Sequence, residues 1–304
     1  MTESNPIAET DHAAVMARLI ALLDVETLEA DLYRGQSTDT GWTRVYGGQV
    51  VGQALMAASK TVRPERLCHS LHAYFLRPGD PLAPIVYRVE RDRDGQSFTT
   101  RRVVAIQHGR PIFNMAASFQ VVETGLEHAA KLPRVTGPDG LASELDLLRK
   151  HAARIREPHR SRWLDRDRPF EFRPVAPVDM LKPKKSVPAS HHWFRASAAV
   201  PVDPATARCL LAYASDMTLL DTCLLPHGVA WTDPALQVAS LDHALWFHAE
   251  PRFDDWMLFA QDSPAAGGAR GLNRGLIFAR DGTLVATAMQ EGLIRYRPTL
   301  AAAA

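Results

Sequence analysis

The chain has 304 residues, of which 46% are hydrophobic and 23% charged, with a formal net charge of +1. These values fit a globular chain with room for two domains of ordinary size or one large one, and they speak against a disordered chain or a nucleic-acid binder working through bulk charge. Three cysteines, Cys68, Cys209 and Cys223, stand far apart with no metal-ligand spacing, so reduced structural thiols and no metal site are expected.

In chain order, the opening segment "MTESNPIAETDHAAV" lacks a basic stretch followed by an apolar core, and no window approaches the ~18–20 apolar residues of a membrane span. With "RPTLAAAA" at the other end carrying no peroxisomal or lipidation signal, a cytoplasmic protein without a membrane span is expected. A short amphipathic helix is predicted over "AAVMARLIALLDVETL". The glycine-led "YGGQVVGQALMAASKTV" then continues with apolar residues at helical spacing. Four extended stretches follow, "LCHSLHAYFLRPGD", "PIVYRVERDRDG", "QSFTTRRVVAIQHG" and "RPIFNMAASFQVVE", bounded by Gly, Pro and Asp turns.

From Lys131 to about Lys185 the chain is rich in Pro, Arg and Asp, which predicts a surface linker with one helix near "ASELDLLRKHAARIR". The earlier order then returns: a helix over "ATARCLLAYASDMTLL", then strands over "LQVASLDHALWFHAE", "DWMLFAQDS", "ARGLNRGLIFARDG" and "TLVATAMQEGLIRY". "RRVVAIQHGRPI" in the first half reads like "RGLIFARDGTLV" in the second, so internal duplication is the simplest account. The expected architecture is α+β, two repeats each with a long helix wrapped by an antiparallel sheet, divided as 1–130, a linker over 131–185, and 186–304.

Several catalytic signatures are absent: no G-x-S-x-G elbow, no phosphate loop, no H-E-x-x-H, and no glycine fingerprint placed after a strand. The glycines of Gly47 and Gly48 can aim backbone N–H groups at an oxyanion or phosphate, or serve only close helix packing. Asp216 stands among apolar neighbours at helical spacing, where an unpaired carboxylate is costly. It is either a working base or a helix-end cap. Ser240 and Gln290 are polar positions in otherwise apolar strands, and a hydroxyl and an amide beside a carboxylate can fix a water for proton removal. Strict alternation puts Ser240 and Asp242 on one strand face and His243 on the other, so an Asp242–His243 dyad is not expected, and His243 and His248 read as structural. His191 and His192 have no nearby metal-ligand partners in sequence.

Taken together, "YGGQVVGQAL", "HSLHAYFLRPGD", "RRVVAIQHGRPIF", "ASDMTLLDTCLLPHG", "SLDHALWFH" and "QEGLIR" resemble the acyl-CoA thioesterase II family, across Leu28 to Arg297. The resemblance implies a double hotdog fold and hydrolysis of acyl-CoA to free CoA and a carboxylic acid by direct attack of water, without metal or cofactor. It implies roles for three residues: Asp216 as general base, with Ser240 and Gln290 orienting it and the water. Ser240 stands where many relatives carry threonine. Gly47, Gly48 and Gln49 become candidates for polarising the thioester carbonyl. The position matching Gln290 in the first repeat falls near Ala117, so that half is expected to lack its own triad. A homodimer or homotetramer is the implied assembly. Two other readings stand beside this one: a hotdog dehydratase or hydratase, which would need a histidine on the helix of Asp216, and a non-catalytic acyl-CoA binding protein.

Overall fold

A computed structural model describes residues 10–38, 42–157, 159–199 and 201–298; the expectations drawn from the two chain ends concern residues largely outside these. The described residues open with α1 (His12–Leu23), capped by Asp11, whose carboxylate accepts from the Ala14 N–H. A short hairpin, β1 (Glu26–Glu29) and β2 (Leu32–Gly35), precedes α2 (Gly47–Ser59). Strands β3 (Arg66–Phe75), β4 (Ile85–Asp94), β5 (Phe98–Gln107) and β6 (Arg110–Val121) complete the first half.

The predicted linker contains the expected helix, α3 (Glu144–His151), set by a Ser143–Asp146 capping box, and a second short helix, α4 (His159–Asp165). It also contains a strand that the Pro and Arg content hid, β7 (Phe170–Pro174), which pairs with β8 (Ala189–Ala196). Then come α5 (Pro204–Ser215), a 3₁₀ segment (Leu219–His227), and strands β9 (Leu236–Ser240), β10 (Asp242–Phe247), β11 (Met257–Gly267), β12 (Arg270–Ala279) and β13 (Leu284–Tyr296).

All strands belong to one antiparallel sheet in the order β1-β2-β4-β5-β6-β3-β10-β13-β12-β11-β8-β7, with β9 beside the far part of β13. Read outward from the β3–β10 junction, the two halves have the same sequence of strands. Thus β10 matches β3, β13 matches β6, β12 matches β5, β11 matches β4, and the β7–β8 pair matches the β1–β2 hairpin. This is an α+β double hotdog, as expected. The junction is itself a ladder, in which Asp242 faces Tyr74 and Trp246 faces Ser70.

Both central helices lie against the concave side of the sheet. In α2 every residue from Gly48 to Ala58 is buried, and α5 is buried over most of its length, as their largely apolar sequences require. Side chains such as Val51, Leu55, Leu210 and Leu211 are fully buried, each contributing about 1.5–3 kcal/mol of transfer free energy. The two helices touch through glycine. A Cβ on Gly48 would stand 2.4 Å from the Tyr213 carbonyl oxygen, and one on Gly52 would stand 3.1 Å from that of Cys209. The N-terminus of α2 thereby reaches the C-terminus of α5.

Candidate active site

The helix expected over residues 205–220 ends earlier. Ser215 is its last residue, Asp216 is the C-cap, and Thr218 adopts φ +67°, a left-handed conformation that stops the helix before the 3₁₀ segment. Asp216 therefore sits at the negative end of α5, where a second negative charge is disfavoured. The start of α2 offsets this. The Gly48 N–H donates to the Asp216 carboxylate, and the site lies at the positive end of that helix. The paired glycines are what allow the approach: a Cβ on Gly47 would fall 2.7 Å from Asp216 Oδ2. Tyr46, the N-cap of α2, donates its hydroxyl to the Tyr213 carbonyl at 2.9 Å and so satisfies one of the orphan carbonyls of α5.

The three residues singled out by the sequence converge here. Gln290 Nε2 donates to Asp216 Oδ1 at 2.5 Å and to Ser240 Oγ at 3.2 Å. The Asp216 side chain is 5% exposed and Gln290 is fully buried. Burial pushes the Asp216 carboxyl up to about 6, while the Gln290 and Gly48 hydrogen bonds and the nearby charge of Arg44 pull it down. Arg44 itself reaches across the site to donate to the Val238 carbonyl in β9 at 3.0 Å. The Gln290 side-chain oxygen is buried with no protein partner.

A fourth side chain, read from the sequence as structural, lies beside them. His243 is fully buried, with Nδ1 3.4 Å from Gln290 Nε2 and 4.0 Å from Asp216 Oδ1, and Nε2 2.9 Å from Ser215 Oγ. Burial pushes it down to about 4, so it is neutral near pH 7 and makes no ion pair with Asp216. Because Nδ1 faces an amide donor, Nε2 carries the proton and donates to Ser215, whose hydroxyl in turn donates to the Ala212 carbonyl at 3.0 Å.

Strict alternation put His243 on the face opposite Ser240, and the ladder shows why it fails. Ser240 pairs with Gly292, whereas Ala244 pairs with Met289, so one extra residue enters between them and brings Ser240 and His243 to the same side. The sequence carried one sign of this break. Asp242 is an unfavourable strand residue, and its carboxylate accepts from the Glu291 N–H at 2.6 Å.

The three carbonyl-polarising candidates, Gly47, Gly48 and Gln49, form the first turn of α2. The N–H of Gly48 serves the Asp216 carboxylate, and the Gln49 side chain turns away to donate to the Gln36 carbonyl at 3.1 Å. His191 and His192 lie on β8, beyond β11, β12 and β13 from the β10 strand that carries His243, and no group of three or more metal-ligating side chains occurs among the described residues.

A hotdog sheet enclosing two antiparallel helices, with a buried carboxylate at the end of one and the N-terminus of the other against it, defines a hotdog protein with a hydrolase-like acid–amide–hydroxyl site. Residues 37–120 match the family model for the N-terminal domain of acyl-CoA thioesterases, and residues 163–293 match the acyl-CoA thioesterase model. The chain is 41% identical over 282 residues to acyl-CoA thioesterase 2 of Haemophilus influenzae, covering 93% of this chain and 98% of that protein. It is 40% identical over 287 residues to human acyl-coenzyme A thioesterase 8, covering 91% and 88%. The crystal structure of the acyl-CoA thioesterase II TesB2 from Mycobacterium marinum matches with a TM-score of 0.74 at 41% identity, over 92% of this chain and 99% of that one. The chain belongs to the acyl-CoA thioesterase II family.

Proposed function

We propose that this protein hydrolyses acyl-CoA thioesters to free CoA and a carboxylic acid, with Asp216 as the general base and Gln290 and Ser240 as the groups that fix the base and the attacking water. The observation that carries the reading is the fully buried Gln290 amide bridging Asp216 and Ser240. Asp216 takes a proton as water adds to the thioester carbonyl. The tetrahedral oxyanion collapses with cleavage of the C–S bond, and the same proton passes to the departing thiolate, so the base returns to its starting state. A carboxyl held near 6 is basic enough to accept that proton and still ionised at neutral pH.

Helix geometry aims the N–H groups of the first turn of α2 along its axis, toward Asp216. Since Gly48 is engaged with the base, the backbone N–H groups of Gly47 and Gln49 are the donors we assign to the developing oxyanion. His243 is a positioning residue: its acceptor nitrogen faces the Gln290 amide. The dehydratase alternative is disfavoured because His243 comes from β10 rather than α5, and each of its nitrogens already faces a partner.

The test is release of free thiol from short, medium and long acyl-CoAs by the wild type and by Asp216→Ala. Turnover that falls about 10²–10⁴-fold in a folded variant supports the assignment. An active variant refutes it, and binding of acyl-CoA by a wild type that never turns over would make the protein a carrier. We further propose a role in fatty-acid metabolism in the cytoplasm and a homodimeric or homotetrameric assembly, which sedimentation would check. No helix of the described residues is long and apolar enough to cross a membrane. We divide the chain into a first repeat over 1–130, a connector over 131–185 whose β7 extends the second sheet half, and a second repeat over 186–304.

A further inference from the structure

The duplication assigns every residue of the site a counterpart in the first half. Asn273 pairs with Gln290 across β12 and β13; the matching pair across β5 and β6 is Arg101 and Ala117. Asp216 follows the last turn of α5; Lys60 and Thr61 follow the last turn of α2. The base and its amide are therefore gone from this half, and an arginine has entered.

Arg101 is 1% exposed. Its guanidinium donates to Thr61 Oγ1 at 2.7 Å, to Asp94 Oδ1 at 2.7 Å, and to the carbonyls of Thr61, Arg93 and Thr100. Carbonyls satisfy its hydrogens but not its charge, and the one carboxylate beside it, Asp94, is 56% exposed and so screened by solvent. A cavity of about 380 Å³ opens at this point, lined by Arg63, Arg66, Arg91 and Arg101 with Thr61 and Asp94 among others. Arg91 is paired to Asp31 at 2.9 Å, and Arg66 donates to Thr99 and to the Gln96 carbonyl. The guanidinium of Arg63 has no hydrogen bond or ion pair among the described residues. Four guanidiniums thus face two carboxylates, Asp94 and Asp31, which leaves a positive excess in a chain whose net charge is only +1.

We propose that this cavity, the first repeat's counterpart of the active site, is a binding site for a nucleotide-sized phosphate ester. The Arg63 fork can take two phosphate oxygens as a pair, the engaged guanidiniums of Arg66, Arg91 and Arg101 add positive potential around it, and the cavity falls within the ~300–1,000 Å³ range of small-ligand sites. Because α2 and α5 run antiparallel, the site lies at the opposite end of the helix pair from Asp216, about 20 Å away at the rise of an α-helix. It is a second site, and it does not depend on Asp216 being a base. The phosphate group has two sources that share this chemistry: a free nucleotide, or the phosphoadenosine part of a CoA molecule.

Isothermal titration with ADP, CoA and inorganic phosphate tests the proposal on the full chain, using the wild type, Arg63→Glu and Asp216→Asn. Arg63 is exposed, so its replacement leaves the core intact. The expected result is ADP binding that is equal in wild type and Asp216→Asn, at least tenfold weaker in Arg63→Glu, weakened by salt and displaced by phosphate. Displacement of ADP by CoA at equal concentration identifies CoA as the source, and ADP retained in excess CoA identifies a free nucleotide. ADP binding untouched by Arg63→Glu, or no ADP binding at millimolar concentration, overturns the proposal. Thiol release by Asp216 is measured separately, so failure here and failure of the hydrolase reading are distinguishable.

Discussion

Replacing Asp216 with Asn should stabilise the fold while removing the activity. In the unfolded chain the carboxyl ionises near 3.8; in the native site burial raises it to about 6. A raised native value means that the folded state prefers the protonated form, so the wild type is most favoured below about pH 4 and loses this contribution as pH climbs through 6. About two units at ~1.36 kcal/mol each make the penalty about 3 kcal/mol above pH 6. Asn removes the charge but presents an NH₂ toward a pocket that already offers donors from Gln290 and Gly48, which offsets part of the gain. The expected increase in unfolding free energy is therefore about 1–3 kcal/mol at pH 8, shrinking toward zero or reversing at pH 4. Urea unfolding of both proteins at the two pH values measures it, alongside thiol release, which should fall about 10²–10⁴-fold. A gain of the same size at both pH values, or a loss at pH 8, would show that burial does not strain this carboxylate.

The wild-type turnover number should fall about tenfold per pH unit below about 6 and level off above it, as a pH–rate profile between 4.5 and 8 would record; a flat profile would place the base elsewhere. Gly48→Ala should cost about 1–3 kcal/mol in thermal or urea unfolding and lower activity with it, because its Cβ would meet the Tyr213 carbonyl at 2.4 Å and push α2 off α5. His243→Phe keeps the ring but removes the acceptor facing Gln290. It should lower the turnover number about tenfold with KM little changed, a split that a purely structural role would not give.

The sequence displayed the duplication, the two buried helices and the residues that meet at the site, because each depends on apolar periodicity or on a polar residue out of place. It also pointed to Ala117 as the counterpart of Gln290, which the pairing of Ala117 with Arg101 and of Gln290 with Asn273 supports. What it hid depended on local geometry. The end of α5 is set by the left-handed Thr218, a residue type with no special preference for that conformation. The side of the sheet on which His243 lies is set by one extra residue near Leu241, and periodicity cannot register a single-residue slip. β7 lies in an arginine- and proline-bearing stretch, and it reads as strand only once β8 is there to pair with it.

The β3–β10 ladder places both repeats in one polypeptide, and this changes what evolution can do with them. In a pair of identical subunits every substitution is imposed on both sites at once, so an arginine at the position of Arg101 would also appear beside Asp216. Joined in tandem, the copies are inherited together but mutate separately. One carries Asn273 and Gln290 where the other carries Arg101 and Ala117. The half that carries Asp216 still borrows the start of α2 from the other half, so neither can be discarded.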